Sequence, residues 1–321
     1  VSISYPHMIL ITVSLFIVSL LMITKGADWF VESAVSISEK SGIPKVIVGA
    51  TIVSFATTSP EFAVSATAAF IGHTDMTVGN AVGSVTCNIG LILGSVLAMK
   101  AASVDVESFL RKGFFMALAG ITLIVVSLDQ HISKTDGIIL LIIFVGFLYY
   151  NYKLQRAIFN GPEKVERVPL NEMRRDIAYF LIGAILVVIG SRIMVDSGIE
   201  LARMVGIPEM IISLTLVAFG TSLPEFITAI SSTMKGHQDL SIGNIIGANT
   251  MDITLILGVC AQITSLEILG QSISYDFPAM LIFMFLLLFF GVTKKRLDRW
   301  EGVFMVVLYG LYVAGLMVWY T

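Results

Sequence analysis

The sequence predicts an all-α integral membrane protein of ten transmembrane helices, arranged as two inverted five-helix repeats. Three observations lead there. The chain of 321 residues is 56% hydrophobic and only 13% charged, against about 25% charged in soluble domains, and its mean hydropathy is +0.90. Ten apolar stretches each approach the roughly 20 residues that a bilayer span requires. Residues 42–94 also align with 206–258 without a gap, with 23 identities in 53 positions.

The spans are expected at 8–30, 44–70, 78–98, 113–128, 137–152, 177–203, 208–233, 241–264, 275–293 and 302–320. The first is read as a transmembrane helix because no basic region precedes it and no small-residue cleavage site follows. Most connections are short and polar, such as Gly72-His-Thr-Asp75 and Asp129-Gln-His-Ile-Ser-Lys-Thr-Asp136. The longest, 154–175, divides the chain into a first repeat, 1–153, and a second, 176–321. Basic residues set the orientation, since cytoplasmic loops carry the excess of Lys and Arg. With the central linker in the cytoplasm, 16 of the 20 basic residues fall on the cytoplasmic side, among them Lys100, Arg111, Lys112, Lys294, Lys295 and Arg296. Both termini are then outside the cell membrane.

The two aligned segments are offset by 164 residues: Gly42-Ile-Pro44 falls on Gly206-Ile-Pro208, Glu61 on Glu225, and Gly79-Asn80 on Gly243-Asn244. Five spans separate equivalent helices. Five is odd, so the copies cross the membrane in opposite senses. Secondary transporters built this way hold their substrates near the midplane, between the repeats.

Each copy carries two chemically unusual helices. The first contains Thr57-Thr-Ser-Pro-Glu61, or Thr221-Ser-Leu-Pro-Glu225. A charged group in hydrocarbon costs from about 2.5 to more than 10 kcal/mol, so two glutamates in duplicated contexts point to a shared cation. Proline lacks the N–H of a helical turn and is expected to bend or open the helix. Opening frees carbonyl oxygens, which in lipid need partners. The second helix contains Gly79-Asn80-Ala-Val-Gly83-Ser84 and Asn88, or Gly243-Asn244-Ile-Ile-Gly247-Ala248 and Asp252. Its glycines admit a close helix neighbour. Ser84 and Asn88, four apart, share a face, and Asp252 supplies a third acidic group. Calcium takes about 6–8 oxygen ligands; sodium also prefers oxygen, so ligand chemistry leaves both open.

Other residues read more plainly. His73 and His237 are expected in surface turns. Glu32 and Asp196 lie toward span ends, near Lys25 and Arg192. Cys87 and Cys260 fall within spans as small buried hydrophobes. No HExxH, GxSxG or P-loop pattern occurs, so neither an enzyme nor a bound cofactor is expected. No basic stripe suggests nucleic acid; the partners are the bilayer and the transported ions.

At the duplicated motifs the sequence resembles the calcium/cation antiporter superfamily, and within it the prokaryotic sodium/calcium exchangers. The resemblance implies that Glu61 and Glu225 bind both Ca2+ and Na+. Thr57, Thr58, Thr221 and Ser222 would add oxygens, Ser54 and Ala218 would offer carbonyls, and Ser84, Asn88 and Asp252 would line the second pair of helices. It also implies that the long first and sixth spans slide as a gating pair. Ala248 departs from the usual serine, removing one hydroxyl from a sodium subsite, and Val85 stands opposite Asn249. Gly83 and Gly247 occupy positions where proton/calcium exchangers carry Glu, which favours sodium. Proton/calcium exchange, potassium-dependent sodium/calcium exchange, for which Asp252 speaks, and a passive cation channel are the alternatives.

Overall fold

A computed structural model of the chain describes residues 5–40, 45–158, 173–234 and 238–320, with side chains inside helices undescribed at 5–6, 31, 34–35, 38–39, 45–57, 155–158, 231 and 238–240. The helices are α1 Tyr5–Lys40, α2 Lys45–Phe70, α3 Thr74–Met99, α4 Val106–Val126 and α5 Lys134–Ile158, then α6 Arg174–Val205. In the second half α7 is a bent pair, Glu209–Thr221 and Leu223–Met234. It is followed by α8 (Gln238–Met251, Asp252–Leu257 and Gly258–Ile263), α9 Ser272–Thr293 and α10 Arg299–Trp319. Among the described residues eight helices are long and apolar enough to cross a membrane, or nine if the bent α7 is one span. The ten expected from the sequence exceed that count by one; α2 is the helix outside it.

The duplication reappears in the element bounds. α3 is α-helical over Thr74–Cys87, π-helical over Asn88–Leu93 and α-helical again over Gly94–Met99. The three parts of α8 begin at 238, 252 and 258, each 164 residues later, and Asp252–Leu257 is again π-helical. Single π turns inside α-helices frequently mark functional sites, and here they open on Asn88 and Asp252.

The all-α expectation needs one amendment. Four two-residue strands, β1 Ala102–Ser103, β2 His131–Ile132, β3 Leu266–Glu267 and β4 Arg296–Leu297, join the connections in two antiparallel ladders. Ala102 faces Leu297, and His131 faces Glu267. Each ladder ties one half of the chain to the other. Residues this few in polar loops carry no strand periodicity, so hydropathy did not reveal them.

α1 and α6 pack along most of their length. A Cβ at Gly26 would lie 2.9 Å from the carbonyl oxygen of Gly183, and one at Gly190 would lie 3.1 Å from the Cβ of Met22. As α1 numbers fall, α6 numbers rise, so these equivalent helices run antiparallel. Phe30 stacks on Phe180 with centroids 4.6 Å apart, and Lys40 reaches Asp176 at 2.6 Å. The α1 and α6 faces away from this seam are exposed and apolar, including Leu10, Leu21, Leu181 and Val188.

α3 runs through the centre, with every side chain from Met76 to Cys87 buried. Its first half lies against the first half of α7. A Cβ on Gly83 would sit 2.6 Å from the Leu214 carbonyl oxygen and 2.7 Å from the Leu214 Cα. Backbone cannot swing aside as a side chain can. Gly83→Ala is therefore expected to lower stability by about 1–3 kcal/mol, the usual cost of overpacking, visible as a lower melting temperature of the purified protein.

Candidate cation site

α2 and α7 deliver the two glutamates. Each helix carries its proline one residue before the acid. Pro224 has no N–H for the carbonyl of Gly220, four residues back, and the chain breaks at Ser222 (φ −83°, ψ 7°) with a 44° bend between the two parts of α7. Pro60 removes the same bond in α2, yet α2 stays one helix from Lys45 to Phe70. The expected opening thus occurs in one repeat, while in the other the helix absorbs the lost bond.

Both acids end deep inside the protein: Glu61 and Glu225 are each 1% exposed. Glu61 Oε1 accepts a hydrogen bond from Ser222 Oγ at 3.0 Å, so the second repeat directly touches the acid of the first. Oε2 of Glu61 is buried with no hydrogen-bond partner among the described residues. Glu225 and Asp252 are close enough for their charges to act on Glu61, and the Glu225 charge acts likewise on Asp252. Asp252 is 1% exposed, and neither of its oxygens has a hydrogen-bond donor among the described residues. Burial of like charges is costly, and a bound cation offsets that cost.

The described neutral candidates are buried as well. Asn88 donates from Nδ2 to Asn249 Oδ1 at 3.0 Å, while its own Oδ1 is buried and unbonded, as is Ser84 Oγ. Thr58, Thr221, Ser222 and Ala218 are all buried. The Ala218 carbonyl accepts from Ser222 N at 3.0 Å and from Thr221 Oγ1 at 3.1 Å. The side chains of Ser54 and Thr57 lie outside the described residues. Of the eleven positions singled out from sequence, nine have described side chains, Glu61, Glu225, Thr58, Thr221, Ser222, Ala218, Ser84, Asn88 and Asp252, and all nine are buried; a hydrogen bond joins Ser222 to Glu61, and charge interactions join Glu61, Glu225 and Asp252. Among the described residues no three His, Cys, Asp or Glu side chains form a ready-made metal cluster. Any further oxygens for a cation would come from threonine, serine and asparagine side chains and from backbone carbonyls.

Asn80 belongs to the duplicated Gly-Asn motif, and its role is set by contacts that the motif does not reveal. Asn80 Nδ2 donates to the Glu61 carbonyl at 3.2 Å and to Ser65 Oγ at 2.9 Å, and its Oδ1 accepts from Thr221 Oγ1 at 3.1 Å. One buried amide therefore links α2, α3 and α7. The signal available was its match to Asn244 across the repeat, but Asn244 is partly exposed where Asn80 is fully buried.

The remaining expectations can be placed. His73 Nδ1 lies 2.7 Å from Glu209 Oε2, joining the end of α2 to the start of α7; His237 lies outside the described residues. Arg192 pairs with Asp196 at 2.9 Å, while Lys25 lies 3.7 Å from Asp28. Cys87 and Cys260 are buried free thiols.

Comparison with known proteins agrees with this geometry. A family model described as "Sodium/calcium exchanger protein" matches twice, over residues 11–153 and 176–318, one match to each half. The inner membrane protein YrbG of Escherichia coli (strain K12) is 37% identical over 280 residues, covering 85% of this chain and 86% of that protein. The sodium/calcium exchanger MaX1 of Methanosarcina acetivorans is 29% identical over 340 residues, covering 94% of this chain and 97% of the relative. Among solved structures, the sodium-calcium exchanger NCX_Mj soaked with Na+ and Sr2+ aligns with a TM-score of 0.66 at 28% identity, over 96% of this chain and 99% of the other. The protein is a transmembrane calcium/cation antiporter and not an enzyme; the chain belongs to the sodium/calcium exchanger family.

Proposed function

We propose that the protein exchanges sodium for calcium across a cell membrane by alternating access. The observation that carries this is the pair Glu61 and Glu225, from duplicated segments 164 residues apart, both buried beside Asp252 and bridged by the Ser222–Glu61 bond at 3.0 Å. Calcium and sodium compete for the two glutamates. Thr58, Thr221, Ser222, Ser84, Asn88 and Asp252 add oxygens, Thr57 joins them, and Ser54 and Ala218 contribute carbonyls. In the present arrangement the Ala218 carbonyl is held by Ser222 and Thr221, so its use as a ligand requires the α7 break to rearrange. An empty site leaves carboxylates facing one another in a dry interior, which disfavours the crossing conformation; either ion lowers that barrier and so couples the two fluxes.

Ten spans in two inverted repeats, 1–153 and 176–321, with a cytoplasmic linker and outer termini, suit this mechanism. Strand pairing supports the count. β1 and β4 lie on one side of the bundle, and six helices, α4 to α9, separate them; only an even number of crossings returns the chain to that side. Four helices, α5 to α8, separate β2 from β3 in the same way. Both counts favour α7 as a complete crossing despite its bend. The antiparallel packing of α1 on α6 supports the inversion, and the pair is suited to slide as a unit. The β1–β4 side carries Lys100, Arg111, Lys112 and Lys294–Arg296, in keeping with a cytoplasmic face.

The deciding experiment is calcium uptake into proteoliposomes under imposed sodium, potassium or proton gradients. A sodium gradient alone is expected to drive saturable uptake. A requirement for potassium with sodium would favour the potassium-dependent reading that Asp252 keeps alive. Uptake driven only by protons would overturn sodium coupling, and conductance without any counter-ion would replace the antiporter with a channel.

A further inference from the structure

A fourth carboxylate is buried away from the cation site. Asp276 closes a π-helical turn, Ser272–Asp276, at the start of α9, and it is fully buried. The Tyr312 hydroxyl of α10 donates to its Oδ1 at 3.1 Å, and Gln271 Nε2 donates to its Oδ2 at 3.4 Å. Ser272 Oγ, also fully buried and adjacent to the carboxylate, has no partner of good geometry among the described residues. No lysine, arginine or histidine among the described residues pairs with Asp276. The titratable groups around it are the phenols of Tyr275 on its own helix and of Tyr312 and Tyr309 on α10, with the Cys87 thiol of α3 bonded to Tyr309.

The surroundings are built rather than incidental. Tyr275 stacks on Tyr312 with centroids 5.4 Å apart and donates to the Tyr312 carbonyl at 2.9 Å, which fixes the phenol that faces Asp276. A side chain at Gly315 would collide with the Tyr275 hydroxyl. The repeat does not require this carboxylate. Position 112, its counterpart 164 residues earlier, is a lysine; in the last helix of each repeat, where Gly137 falls on Gly302, the offset is 165, and the counterpart of Tyr312 is Phe147.

A lone carboxylate in a membrane protein interior, with neutral donors and no basic partner, marks a proton relay or ion site by default. The oxygens in reach number far fewer than the roughly 6–8 that calcium takes. Hydroxyls, by contrast, turn to accept from a protonated carboxyl as readily as they donate to an ionised one. Gln271, which bonds Asp276, is partly exposed, and Gly270 beside it is exposed, a few residues after β3 on the β2–β3 side of the bundle.

We propose that Asp276, held by Tyr312 and Gln271 with the Ser272 hydroxyl adjacent, is a proton-binding site of this transporter, separate from the Glu61–Glu225 site and loaded from the β2–β3 side. Its proton decides whether Tyr312 donates to or accepts from the carboxyl, and so how α9 is tied to α10. Through Tyr309 on the same helix the change reaches Cys87, next to the π turn of α3.

The test is infrared difference spectroscopy of the purified full-length protein, titrated from about pH 4, where ordinary carboxylates change charge, to about pH 9, the upper range for buried ones. A protonated-carboxyl band is expected that is lost in Asp276→Asn and displaced in frequency in Tyr312→Phe, with single-site occupancy changing roughly tenfold per pH unit. Spectra of Asp276→Asn identical to wild type across the titration would overturn the proposal. So would displacement of the band at fixed pH by sodium or potassium, which would make the site one for a metal ion. Tyr312→Phe keeps the carboxyl, so it tests the assignment even where the asparagine variant folds poorly. The band needs no transport activity, so its absence and a failure of sodium/calcium exchange are separate results.

Discussion

Glu61→Gln and Glu225→Gln are each expected to reduce sodium-driven calcium uptake in proteoliposomes by at least about 30-fold. Removing one charge from a buried, paired set costs about 2–5 kcal/mol of binding, and about 1.4 kcal/mol corresponds to a factor of ten. The substitution keeps the shape of the side chain: Ser222 can still donate to the amide oxygen of residue 61 in place of Oε1, from its present 3.0 Å. It also removes one of three like charges from a dry interior, so the melting temperature of the ion-free protein should hold or rise. Loss of uptake with unaltered stability locates the defect in ion binding. Retained exchange in either variant would remove that glutamate from the site.

Asn80→Ala is expected to have the next largest effect, lowering stability by about 2–4 kcal/mol together with a loss of uptake. The amide makes three hydrogen bonds, to the Glu61 carbonyl, to Ser65 Oγ and from Thr221 Oγ1, all in the interior. Each typical bond contributes about 0.5–1.5 kcal/mol, and a buried acceptor left unsatisfied costs about 1–3. Thr221 keeps its bonds to the Val217 and Ala218 carbonyls, so the loss falls mainly on α2. Freed of Asn80, the backbone at Glu61 is no longer tied to α3, and the carboxyl loses its position as well as its support. Thermal unfolding and uptake should therefore decline together, in contrast to the glutamine variants. An Asn80→Ala protein as stable as wild type would show that the three-helix link contributes nothing to the fold.

The two tests separate residues proposed to hold the ion from the residue that holds them in place. That distinction was not visible from residue types, since Asn80 and Asn88 look equally suited to ligation. Asn80 is saturated by protein partners, whereas Asn88 keeps its carbonyl oxygen unbonded beside Ser84.

The sequence by itself determined the membrane class, the helices to within about a turn at most ends, the 164-residue duplication, and the matched positions of Glu61 and Glu225 within it. These are legible because they are local or periodic. A span is a length of apolar residues that the bilayer demands, and a duplicated acid in such a span is conspicuous wherever it folds. Tertiary structure alone decided how the halves meet. Contacts between residues more than 130 apart, such as Ser222 with Glu61, Thr221 with Asn80 and Ala102 with Leu297, leave no trace in hydropathy. The same holds for the differing response to two equivalent prolines: α2 stays continuous and α7 bends 44°, because packing rather than the proline decides whether a missing hydrogen bond becomes a break. Asp276 shows the limit most directly. A span read from 275 puts it at the water interface. The helix instead begins at Ser272, and one further turn with Tyr312 against it turns an interfacial acid into a buried one.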